Sequence, residues 1–168
     1  MEIETAARRR YLQDPTVQGY VTGKVFKHSL LERVDGTGGR ALVVRRSNGW
    51  AQADNTQSSE YPILVVDCWA DRTRSPEGDP LGDDAIDKAY ALWRAVDSIT
   101  HRVRDQWWGG GGSDLGLMMV SIVRWVEPFH MTSDDQHGAG SVATKQPMGE
   151  CALVSASYAV HCAQTVNA

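Results

Sequence analysis

Cysteine is scarce in this chain: Cys68, Cys151 and Cys162 are the only three in 168 residues. They are odd in number, show no CxxC spacing and each falls in a predicted strand, so a disulfide framework is excluded. Small buried thiols in a reducing compartment are expected instead. Long apolar runs are missing too, since none approaches the roughly 18 residues a membrane-spanning helix needs. The opening Met1-Glu2-Ile3-Glu4 lacks the basic head and apolar stretch of a secretory leader, and no membrane partner is expected. Basic residues are not in excess, with 17 Lys and Arg against 21 Asp and Glu and a net charge of -4. That balance argues against a dedicated nucleic-acid binder. The arginine clusters at Arg8-Arg9-Arg10, Arg45-Arg46 and Arg102/Arg104 fit solvated faces or protein contacts better than phosphate clamps.

Familiar catalytic spacings are also absent. The five histidines, His28, His101, His130, His137 and His161, form no HxH, HExxH or Cys/His pairing, so no metal is expected. There is no GxxxxGK[ST] phosphate loop and no GxSxG elbow. Gly109 to Gly112 precedes a strand instead of opening a helix, which points to a flexible linker. No cofactor and no enzymatic activity are expected. One acid stands out, because Asp67 interrupts an apolar strand and, if buried, needs a partner such as an arginine.

What the chain does contain is a dense β-branched run, Tyr61 to Asp71, whose composition requires a strand covered on both faces or nearly so. Between Asp83 and Arg104, Ala85, Ala89, Leu92, Val96, Ile99 and Val103 recur at steps of four and three, a long amphipathic helix widened by Ile86 and Trp93. Acids at its start and bases at its end complement the helix dipole. Two short helices are expected before it, Glu4 to Gln13 and Pro15 to about Tyr20, separated by the capping pair Asp14-Pro15. Strands are expected at Ala41–Arg46, Leu117–Phe129 and Glu150–Gln164. The expected fold is α+β, a mostly antiparallel four-stranded sheet with one long helix packed on a face and short N-terminal helices. A single domain over 1–168 is expected, with mobile loops near 107–114 and 131–149.

The basic N-terminal helix running into Asp14-Pro15-Thr16-Val17, then Gly23-Lys24-Val25-Phe26, the strand Ala41 to Arg46, the strand ending Val66-Asp67-Cys68-Trp69-Ala70 and the Ala-rich helix together resemble the tail terminator proteins of long-tailed bacteriophages. The resemblance covers most of the chain to about Arg104 and, more loosely, the last two strands. It implies a non-enzymatic virion protein, assembled in the host cytoplasm, that forms a hexameric ring. Such a ring caps the tail tube, ends its growth and joins it to the head-side connector, with viral DNA passing through the lumen without sequence recognition. Arg45 and Arg46 at a strand end, Trp50, Trp107 and Trp108 beside turns, and Asp134 and Asp135 in a polar loop are the interface candidates. Reversing the charge at Arg45 is expected to weaken ring or stack contacts more than folding. Two alternatives stay open: another neck subunit such as a stopper or completion protein, or a small enzyme or ligand-binding domain using Asp67, His161 and an arginine.

Overall fold

The computed structural model describes residues 1–28, 39–53, 57–71, 84–111, 114–132 and 151–165. Helix α1 spans Ile3–Gln13 and α2 spans Pro15–Val21. The break between them is chemical. The Asp14 carboxylate accepts from the Thr16 and Val17 amides at 3.0 and 3.1 Å, and Pro15 takes the first helical position, where its missing N–H costs nothing. The remaining elements are β1 (Val25–Lys27), β2 (Arg40–Ala53), β3 (Gln57–Asp71), α3 (Asp84–Thr100), β4 (Val103–Gly111), β5 (Asp114–Arg124), β6 (Phe129–Thr132) and β7 (Cys151–Thr165).

The expected four-stranded antiparallel sheet is wrong. Among the described residues the strands form one seven-stranded mixed sheet in the order β1-β2-β3-β7-β5-β4, with β6 beside β7, curled into a half-barrel. β1 is parallel to β2, and every other pairing is antiparallel. Three strands account for the difference. β1 is only three residues long, too short for a periodic pattern to show. β6 continues the line of β5 along β7 after a break at Trp125–Pro128, so the expected strand Leu117–Phe129 is two strands. β4 was the least visible, because it holds the glycine segment read as a loop. Described as far as Gly111, that segment pairs with β5 from Val103↔Ile122 to Gly111↔Asp114. Glycine there admits close packing: a Cβ on Gly109 would stand 2.6 Å from the Ala6 Cα, so α1 can lie directly on the strand only because that atom is missing.

α3 is also shorter than expected. It ends at Thr100, and Arg102 adopts φ +66° while its amide donates to the Ile122 carbonyl at 2.9 Å. The chain therefore turns straight into β4, and Val103, read as the last residue of the helical stripe, is buried on a strand. Alternation in β5 changes phase at Val120. Leu117 and Met119 are buried, the register with β7 then shifts between Met119 and Ser121, and Ile122 follows on the buried face.

α1 and α3 pack on the same face of the sheet. Ile3, Ala6, Ala7 and Tyr11 of α1 and Ala85, Ala89, Leu92 and Val96 of α3 share one core with Leu42, Val44, Leu64, Val66, Cys68, Val154, Ala156 and Tyr158. Leu92 is completely buried. Leu92→Ala is expected to cost about 2–5 kcal/mol in denaturant melts. A loss under about 1 kcal/mol would show that this face of α3 does not hold the sheet.

Candidate functional site

With α1 and α3 on one face, no helix among the described residues covers the opposite face of β3, β7 and β5. Its residues are the odd-numbered ones of β3 and β7, since the even-numbered side chains enter the core. Tyr61, Ile63, Ser121, Val123, Trp125 and His161 line an open groove of about 310 Å³ there. The Tyr61 and His161 rings stack with centroids 4.4 Å apart and planes 14° from parallel. Beside the groove the chain exposes large apolar side chains in close succession: Val123 at 50%, Trp125 at 60%, Val126 at 49% and Phe129 at 53%. Exposed apolar side chains crowded this closely mark a contact surface more often than a solvated one. Arg104 pairs with Ser121, and Ser121 with His161, so a cation and two polar groups run across β4, β5 and β7 along the same face.

Farther along this face, Asp67 is buried and fully engaged. Arg45 approaches one carboxylate oxygen through Nη2 at 2.6 Å and Nε at 2.9 Å, and the Ser155 hydroxyl donates to the other at 2.6 Å. The arginine expected to answer this acid is thus its cross-strand neighbour. His161 does not join them. Asp67 faces Ser155, and His161 lies six residues farther along β7, roughly 20 Å at strand rise. A site built from Asp67, His161 and an arginine is not assembled.

A second polar cluster lies on the helix side, and sequence reading missed it. Asp97 on α3 accepts from the Tyr158 hydroxyl at 3.0 Å and from Arg124 Nη2 at 3.3 Å, while the Arg124 guanidinium sits 5.4 Å over the Trp93 ring. Burial pushes the Tyr158 phenol above its ordinary range, which keeps it a donor. The Tyr11 and Thr100 hydroxyls bond at 2.9 Å nearby. These contacts tie α3 to the sheet and α1 to α3. The only sequence signal for them was one aspartate near the edge of an apolar stripe. All three cysteines are buried thiols: burial pushes Cys68 and Cys151 up and Cys162 up to about 12.

The interface candidates fall in different places. Arg45 is held by Asp67, and Arg46 pairs with Glu60 at 3.0 Å. Trp50 lies on β2 opposite Tyr61. Trp107 is 40% exposed, whereas Trp108 is buried against Tyr11, edge to face at 6.1 Å. Asp134, Asp135 and nearly all of the expected 131–149 loop lie outside the described residues. Among the described residues no group of three or more His, Cys, Asp or Glu is placed to hold a metal ion, and no helix is long and apolar enough to cross a membrane.

This arrangement has a counterpart among solved structures. A chain in the virion of a native gene transfer agent particle superposes with a TM-score of 0.56, over 96% of this chain and 95% of that one, at 11% identity. The two share a fold. The sequence itself matches no family model and no curated protein.

Proposed function

We propose that this chain is a structural virion protein, and specifically a tail terminator. In this reading a homo-hexameric ring of it caps the tail tube, ends tube growth and joins the tail to the head-side connector, with DNA passing through the lumen. The observation that carries the reading is the end-to-end fold likeness to a chain of a phage-like virion. It adds to the resemblance carried by Asp14-Pro15, Gly23-Lys24-Val25-Phe26 and the β3–α3 unit. The form of the subunit supports it. A ring built head to tail needs two different lateral faces, and stacking on a tube needs further surfaces above and below. A half-barrel with a helix-covered face, an opposite face that carries the groove and exposed apolar side chains between Val123 and Phe129 offers such distinct surfaces.

Electron micrographs of lysates made without this protein test the assignment. Filled heads are expected beside tails of irregular length or tails unjoined to heads, because nothing blocks further stacking at the tube end. Attached tails of normal, uniform length would overturn the terminator role.

A further inference from the structure

Among the described residues two edges of the sheet are open, and they lie at opposite ends of the strand order. β1 covers β2 through Val44, and from Arg45 to Ala53 β2 has no strand on its outer side among the described residues. At the other end β4 pairs with β5 alone. α1 reaches only the far part of β4, where Arg9 Nη1 donates to the Gly109 carbonyl at 2.8 Å. Before that point Arg104, Asp105, Gln106 and Trp107 are exposed one after another. An open edge presents a row of backbone donors and acceptors able to template another strand.

Strand polarity narrows the choice of partner. Four antiparallel steps lead from β2 through β3, β7 and β5 to β4, and an even number of reversals leaves β2 and β4 pointing the same way. A second copy rotated about an axis along the strands, without being inverted, therefore brings its β2 edge beside β4 in parallel. β1 already uses that polarity against β2. Contact between two different edges of identical chains is heterologous and closes into a ring when the rotation allows.

We propose that β4 of one copy pairs in parallel with the Arg45–Ala53 edge of β2 in a second copy, joining the half-barrels into one continuous sheet around the ring axis. The proposal rests on the ring reading above and names the contact that builds the ring. Exposure matches at the two edges: Asp105, Gln106 and Trp107 are exposed on β4, and Arg45, Arg46 and Ser47 on β2. Both edges are also irregular, with φ +48° at Asp105 and a register shift between Ser47 and Gly49. Such irregularities discourage pairing with unrelated strands while a matched edge accommodates them.

Single cysteines at two exposed positions, Q106C and S47C, test this in the full chain with a short bifunctional maleimide, since the native thiols are buried. A mixture of the two variants is expected to give a dimer-sized product that neither variant gives alone. Amide exchange in 104–108 and 45–53 is expected to slow about tenfold or more on assembly. A ring seen by native mass spectrometry with no cross-link and unchanged exchange at both edges would overturn the edge pairing and leave the ring reading standing. Cross-linking of Q106C to itself would replace it with an antiparallel, isologous contact. A monomer at all concentrations, with and without tube protein, would overturn both.

Discussion

Trp108→Ala is expected to destabilise the isolated subunit by about 3–5 kcal/mol, the usual loss when a fully buried large aromatic is truncated. The sequence places Trp108 beside a run of glycines, where a mobile loop would make the substitution nearly silent. In the fold Trp108 is 1% exposed, lies on β4 opposite Leu117 and meets Tyr11 edge to face. Its indole N–H has no hydrogen-bond acceptor among the described residues. Trp108→Phe removes that buried donor, whose unsatisfied state costs about 1–3 kcal/mol, and so offsets part of the lost apolar area. Phenylalanine should therefore be clearly milder than alanine. Trp107→Ala, at an exposed position on the same strand, should change stability by no more than about 0.5 kcal/mol. Denaturant melts of the three variants decide the matter. Equal, small losses for both alanine variants would return this segment to a loop.

Arg45→Glu is expected to damage folding as well as assembly, a larger folding cost than the sequence-based expectation that it would weaken assembly contacts more than folding. Asp67 is 5% exposed and depends on Arg45 and Ser155 for its hydrogen bonds. Removing one partner of a fully buried ion pair costs about 3–5 kcal/mol. The Arg45 side chain is 45% exposed, and water screens part of that penalty, so the expected loss is about 2–3 kcal/mol. A glutamate there adds a second carboxylate beside the first. Asp67→Asn in the Arg45→Glu background removes the repulsion, and the pair should couple favourably in a double-mutant cycle. Additive losses would show that the two groups do not interact. Arg46→Glu, whose partner Glu60 is one-quarter exposed, should have the smaller effect of a surface pair.

Local chemistry was legible without the fold. Asp14-Pro15 marks a helix boundary because a carboxylate and a proline act on the adjacent backbone alone. The body of α3 was legible from its helical period and the Tyr61–Asp71 strand from its dense β-branched run, although the cover on both faces which that run implied is not found, since Tyr61 and Ile63 line an open groove. The need of Asp67 for an arginine followed from the cost of a bare buried charge, although which arginine did not. Other features depend on contacts made far along the chain. α3 stops at Thr100 with no glycine or proline to announce it, because the Arg102 amide is taken by Ile122 on β5. The Trp107–Gly111 segment carries a loop's composition and becomes a strand because β5 supplies its hydrogen bonds and α1 fills the space above Gly109. The same holds for the candidate surface. Tyr61, Ser121 and His161 lie up to 100 residues apart, and only the pairing of β3, β7 and β5 brings them to one groove. The period of a strand tells which residues share a face, but strand order, the bulge at Val120 and the face chosen by the helices are set by packing the whole chain at once, which no local pattern encodes.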